Sequence, residues 1–185
     1  MTGIRGTRRA DILKAACEDF CESGYDRARM ENIARRAGIG KSTIYEYFPS
    51  KTDLLEAVVD WVLEQACAEL ERIFTADTSF REMVCRYLQF MRVMITRAGV
   101  GMMTLRGDQP VFKAVHGRAE RFRDFIIARI SRAIRRAVAR GEVSEKIDPG
   151  AAALLLASVS FSFISPSECT MQQILEVLFE GLEPR

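Results

Sequence analysis

The groups that could do chemistry in this chain concentrate between Met30 and Lys51, MENIARRAGIGKSTIYEYFPSK. Lys41, Ser42, Thr43, Tyr45 and Tyr47 place one ammonium, two hydroxyls and two phenols on a single short run. Such groups suit hydrogen bonds to phosphate oxygens and base edges. Ile44 and Phe48 recur at helical spacing and point inward, which leaves the polar set largely facing out. Upstream, Ile33, Ala34 and Ala37 give a second helix an apolar face of small residues that a crossing helix can approach closely. Gly38 supplies the sharp corner between the two, where a residue with positive φ is usually needed. Two short helices joined at a glycine form a helix-turn-helix over about residues 29–48, and double-stranded DNA is the first candidate partner.

Other chemistry is scarce. The chain has one His, His116, no Gly-rich phosphate loop after a strand, no Ser in a nucleophile elbow and no clustered carboxylates in an apolar setting. An enzyme is therefore not expected, and neither is a cofactor. Five Cys with no Cys-x-x-Cys pair argue against a disulfide framework and a zinc site. Cys17 and Cys21 lie one helical turn apart, a spacing that could serve a redox switch, but Cys17 also falls in an apolar stripe with Leu13, Ala16 and Phe20, so packing accounts for it.

Composition is that of an ordinary globular chain of one or two domains: 185 residues, 48% hydrophobic and 28% charged. The net charge of +2 is unevenly placed. Residues 1–50 hold nine Lys/Arg against seven Asp/Glu, and the remainder balances. Arg5, Arg8 and Arg9 read as a phosphate-facing arm ahead of helix one. No basic-then-apolar leader is visible, and the most apolar stretch, residues 151–164, is too short to span a bilayer. A cytoplasmic, nucleoid-associated protein with no membrane partner is expected.

The elements that position these groups read as helices throughout. Helix one runs from about Arg8 to Ser23 and stops at Gly24. Ser50-x-x-Asp53 and Ser79-x-x-Glu82 are capping-box-like starts for two more, the first continuing past Trp61 to about Ile73. Residues 99–110 predict a short helix and loops, and an amphipathic helix then fills roughly Arg118 to Arg140. Asp148-Pro149 and Ser165-Pro166 each place a cap before a proline at the first helical position, announcing two last helices.

The run from Arg8 to Val59 resembles the DNA-binding domain of the tetracycline-repressor (TetR) family of bacterial regulators. The matching features are Ile12-Leu13, Ala15-Ala16, Phe20, Gly24-Tyr25, Ile33-Ala34, Ala37-Gly38, Lys41-Ser42-Thr43-Ile44-Tyr45, Tyr47-Phe48, Ser50-Lys51 and Leu54-Leu55. Two positions depart from that family's usual pattern: Ala28 stands where a Thr commonly caps helix two, and Gly40 where a Ser commonly caps helix three. The resemblance implies an all-α fold, with a three-helix DNA-binding domain over residues 1–50 and a larger helical bundle over 51–185 for ligand binding and dimerisation. It also implies a sequence-specific transcriptional regulator, most often a repressor, which a small molecule releases from a palindromic operator by tilting helix four. The alternative is a DNA-binding accessory or architectural protein without an effector. Expected DNA contacts are Lys41, Ser42, Thr43 and Arg29 near base edges, with Tyr45, Tyr47 and Lys51 on phosphates.

Two further sites follow for the bundle. Leu154, Leu155, Leu156, Val159, Phe161, Phe163 and Ile164 make the penultimate helix apolar nearly all round, so it needs cover on most sides. The final helix, with Ile174 and Leu178, is apolar on one side. In the resembling family such a pair forms a four-helix interface with a second copy, which would place Leu155, Phe161, Ile174 and Leu178 in a homodimer contact. Tyr87, Met91, Met94, Met103, Phe122 and Ile126 supply soft apolar surface for an apolar or amphipathic effector, although the same residues would serve as plain core. Arg123 falls inside the apolar arc of Phe122, Ile126, Ile130 and Ile134, where it would meet an anionic ligand group, pair with a carboxylate or snorkel out.

Overall fold

In the computed structural model the described residues are 2–102 and 110–161, with 173, 175, 176, 179 and 180 further on; side-chain surroundings are described for 7–96, 115–160 and those five. The fold is all-α. The helices are α1 (Thr2–Ser23), α2 (Met30–Arg36), α3 (Lys41–Tyr47), α4 (Lys51–Thr75), α5 (Phe80–Met102), α6 (Pro110–Ala139) and α7 (Pro149–Phe161). No helix among the described residues is long and apolar enough to cross a membrane.

Capping chemistry sets the helix starts where the sequence announces them. The Ser50 hydroxyl accepts the Asp53 N–H at 3.1 Å and donates to the Asp53 carboxylate at 2.7 Å, opening α4. Ser79 accepts the Glu82 N–H at 3.2 Å at the start of α5. Asp148 accepts the Ala151 N–H at 2.7 Å, with Pro149 at the first position of α7.

Three helices extend beyond their expected bounds. α1 already starts at Thr2, so Arg5, Arg8 and Arg9 lie within its first turns and not in an arm ahead of it. No proline interrupts the ladder upstream of Ile12. α5 runs on to Met102 through Gly99 and Gly101, since isolated glycines weaken a helix by ~1 kcal/mol without ending it. α6 begins at Pro110, where the missing N–H costs nothing at a first helical position. The start expected at Ser165-Pro166 lies outside the described residues.

The chain forms two compact units. The first holds residues 1–65 and 97–119, the second residues 66–96 and 120–185. The boundary expected at residue 50 is displaced because Leu54, Leu55, Val58 and Val59 of α4, and Val115 of α6, join the apolar cluster of α1–α3. In that cluster Ile12, Leu13, Ile33, Ile44 and Leu54 are at most 1% exposed. Each contributes roughly 1.5–3 kcal/mol by burial. Arg118 adds a polar clamp in the same unit, donating to Asp60 at 2.6 and 3.0 Å and to Glu56 at 3.2 Å. The Asp60 hydrogen bond raises the Arg118 pKa, so the guanidinium stays charged.

The second unit is built on Leu70, Leu88, Met91, Ile126, Ile130 and Ile134, all fully buried. Its core carries a buried polar relay: Tyr87 and Ser160 share a hydrogen bond of 2.6 Å, and Ser160 donates onward to the Ala157 carbonyl at 2.7 Å. Because Ser160 donates to Ala157, Tyr87 is the donor in the first bond. Burial pushes the Tyr87 phenol up to about 12. Arg129 pairs with Glu71, and Arg136 donates to the Phe74 carbonyl, which ties α6 to the end of α4. Phe179 lies edge-on to Phe80 at 6.3 Å, and the Arg81 guanidinium sits 4.2 Å over its ring.

Candidate nucleic-acid interface

The corner between α2 and α3 is a Schellman turn. Gly38 takes φ +68°, its N–H bonds to the Arg35 carbonyl at 3.1 Å, and the Ile39 N–H reaches back to Ala34 at 2.9 Å. Two orphan carbonyls of α2 are thereby satisfied, and Ile39 packs on the core cluster. Gly40 then caps α3 in an extended conformation with no side chain to offer. At the other end of α2 the cap is Arg29, φ −124°, and it makes no side-chain cap bond. Ala28, expected at the capping position, is instead 3% exposed and buried in the core. The cap falls one residue later because Asn32 and Ile33 both donate to the Arg29 carbonyl.

This corner fixes which face of α3 is free. Ile44 is fully buried and Phe48 nearly so, while Lys41, Ser42 and Tyr45 are exposed and Thr43 is half-buried. Arg29 is exposed as well. Tyr47 is only partly outward: its ring rests against the core cluster. The Lys41 ammonium pairs with Glu31 of α2 at 2.7 Å. That hydrogen bond lowers the Glu31 pKa and raises that of Lys41, so both are charged at neutral pH. Sequence reasoning missed Glu31, because a ten-residue separation across a turn has no periodic signature.

Lys51, expected on a phosphate, is engaged within the unit itself. Its ammonium donates to the carbonyls of Tyr25 at 2.8 Å, Ala28 at 3.2 Å and Asp26 at 3.3 Å. It also lies 4.4 Å over the Tyr25 ring. An ammonium has three donors, and all three point into the α1–α2 turn. The Tyr25 hydroxyl reaches Thr52 at 3.0 Å, so the turn is pinned to the first residues of α4 from two sides.

Arg36 holds α2 to α1, a role no spacing announced. It bonds both Glu22 oxygens at 3.0 and 2.6 Å, with Glu18 and Asp19 further off at 3.6 and 4.0 Å. The Arg36 hydrogen bond lowers the Glu22 pKa. The Arg9 guanidinium sits 5.4 Å over the Phe48 ring, joining α1 to the end of α3. The edge carrying Arg29, Lys41, Ser42 and Tyr45 thus rests on a unit tied together by Arg36, Arg9, Lys51 and Tyr25.

The residues expected at a ligand site differ in burial. Tyr87, Met91, Phe122 and Ile126 are all buried in the second unit, and Met94 is half-buried. Met103 lies outside the described residues. Arg123 is corrected to the surface: its side chain is 51% exposed and pairs with Asp124 at 3.6 Å. Angular position on a helix buries a side chain only where a neighbour covers that level, and a long guanidinium reaches solvent cheaply otherwise. Of the expected interface residues, Leu155 is 55% exposed, beside Leu154 at 54%. Phe161 closes α7, but its side-chain surroundings are outside the described set, as are Ile174 and Leu178 altogether.

Comparison with known proteins bears on the first unit most directly. Residues 12–58 match the bacterial regulatory proteins, tetR family. The chain is 35% identical over 78 residues to the HTH-type transcriptional activator FasR of Mycolicibacterium smegmatis, a match covering 42% of this chain and 36% of FasR. It therefore spans little more than a third of that relative's length. A transcriptional regulator of the TetR/AcrR family from Thermobifida fusca is similar over 95% of this chain and 98% of its own, with 26% identity and a TM-score of 0.68. The FadR regulator of Bacillus subtilis, solved with stearoyl-CoA, shares the fold at 18% identity and a TM-score of 0.68, over 93% and 98% of the two chains. Its helix-turn-helix segment, residues 12–58, is thus matched by the bacterial regulatory proteins, tetR family, and 95% of its length is similar in fold to a TetR/AcrR-family regulator.

Proposed function

We propose that this protein is a sequence-specific DNA-binding transcriptional regulator acting in the cytoplasm as a homodimer. The observation that carries the reading is the exposed edge of Arg29, Lys41, Ser42 and Tyr45 on a braced three-helix unit. Ser42, Thr43, Lys41 and Arg29 read base edges, and Tyr45 and Tyr47 hold phosphates. Lys41 approaches DNA from its pair with Glu31, whose carboxylate repels phosphate and accepts a cytosine amino group. Lys51 contributes by fixing the α1–α2 turn.

Dimerisation is supported by α7, a helix without a charged residue that leaves Leu154 and Leu155 half exposed on one chain. A two-fold pair presents two recognition helices to half-sites about 34–36 Å apart. Repression relieved by a small molecule is the regulatory mode we infer. The buried Tyr87, Met91, Phe122 and Ile126 favour an apolar effector, and Arg123 on the surface removes the reason to expect an acidic group there. The stearoyl-CoA bound by FadR supports an apolar tail as the class. A ligand that moves the balance between DNA-fitted and released forms from 1:99 to 99:1 must prefer the latter by ~10⁴-fold.

Enrichment of bound duplexes from a random pool tests the reading. A palindromic sequence should emerge, Thr43→Ala should relax one or two of its base pairs by ~1–3 kcal/mol each, and Tyr45→Phe should weaken all duplexes alike. A pool with no enriched sequence would refute it.

A further inference from the structure

Two thiols on α1 stand apart from the DNA-facing edge. Cys17 and Cys21 are both free and both half-buried, with Cys17 packed against the edge of the core cluster. Their positions place the two on one helix face, with Cβ atoms about 5–6 Å apart. A disulfide requires about 3.5–4.5 Å between Cβ atoms. Closing an S–S bond here would therefore unwind the turn that seats Phe20 in the core and presents Glu22 to Arg36. One large soft atom bonded to both sulfurs spans the same gap with the helix intact. We propose that Cys17 and Cys21 form a two-thiol capture site for thiophilic trivalent arsenicals. The proposal is independent of any role in DNA binding.

The electrostatics of the pair support that chemistry. The hydrogen bond between the thiols lowers the Cys21 pKa, against burial and Glu22, and pushes that of Cys17 up. The lowered thiol, Cys21, is the one that reaches the nucleophilic thiolate form more readily, and it attacks first. With phenylarsine oxide, the Cys21 sulfur attacks arsenic and the Cys17 sulfur forms the second As–S bond. The oxide oxygen leaves as water with the two thiol protons. Arsenic stays trivalent and no oxidant is consumed.

The test is intact-mass analysis and peptide mapping of the reduced full-length protein treated with phenylarsine oxide. The expected product carries one phenylarsenic group in place of two hydrogens, bridging Cys17 and Cys21. A dithiol should reverse it, and excess monothiol should not. Cys17→Ser and Cys21→Ser should each weaken capture by roughly 10²-fold through loss of the second bond, whereas the Cys67→Ser/Cys85→Ser double variant should capture normally. Cys21→Ala, followed by circular dichroism, separates loss of capture from loss of fold. A bridge mapped to other cysteines, or capture kept in both serine variants, would overturn the proposal. So would a Cys17–Cys21 disulfide formed readily by diamide without loss of helix.

Discussion

Removing the Lys51 ammonium while keeping its stem, as in Lys51→Met, separates two roles that sequence alone merges. In the structure the ammonium serves two part-buried carbonyls, Tyr25 and Ala28, one exposed carbonyl, Asp26, and the face of the Tyr25 ring. Hydrogen bonds from a charged donor contribute about 1.5–3 kcal/mol each. Sharing among three acceptors and partial solvent access place these nearer 1 kcal/mol apiece for the two part-buried ones. The cation–π contact adds about 0.5–1 kcal/mol. The variant should therefore lose about 2–3 kcal/mol in urea unfolding, a large fraction of a typical 5–15 kcal/mol. A lysine held this way neutralises no phosphate. The slope of log affinity against log salt should then be unchanged for whatever DNA binding survives, whereas loss of a phosphate contact flattens it by about 0.9. A variant with parental stability and a flattened salt slope would refute the assignment and return Lys51 to the DNA backbone.

Other perturbations follow from the same geometry. Gly38→Ala should destabilise the first unit by about 1–2 kcal/mol in urea unfolding, wholly through its φ of +68°, since an added Cβ meets nothing within 4 Å. Gly117→Ala, equally unobstructed but inside α6, should stabilise by about 0.5–1 kcal/mol and serves as its control. Tyr87→Phe should cost about 1 kcal/mol near neutral pH by removing the bond to Ser160. It should also suppress an alkaline loss of stability. The folded phenol near 12 lies above the unfolded value near 10, so above pH 10 the unfolded state binds fewer protons and stability falls until about pH 12. Parallel pH–stability curves for parent and variant would contradict that account. Leu155→Glu, at a position 55% exposed on one chain, should leave the monomer folded but shift sedimentation from dimer to monomer and abolish palindrome binding.

The sequence by itself determined what local physics decides. Capping residues at Ser50, Ser79 and Asp148 bond where their spacing says they should, because each acts on a backbone group only three residues away. Helical periodicity placed Ile33, Ile44 and Phe48 inward, and the glycine corner at Gly38 followed from the need for positive φ. The all-α fold and the exposed Lys41, Ser42 and Tyr45 were legible for the same reason. Tertiary structure alone decided where the long charged side chains end. Lys51 turns from solvent to three carbonyls 23–26 residues away in sequence, Arg36 joins α2 to Glu22, Lys41 meets Glu31, and Arg123 leaves its apolar arc for Asp124. A flexible stem several bonds long decouples a charge from the angle of its own helix. Its destination depends on which carbonyl or carboxylate another segment brings within reach, and no periodicity in one segment encodes that. The unit boundary moved for a related reason: burial of Leu54, Leu55, Val58 and Val59 of α4, and of Val115 of α6, is a property of what packs against them, not of the residues themselves.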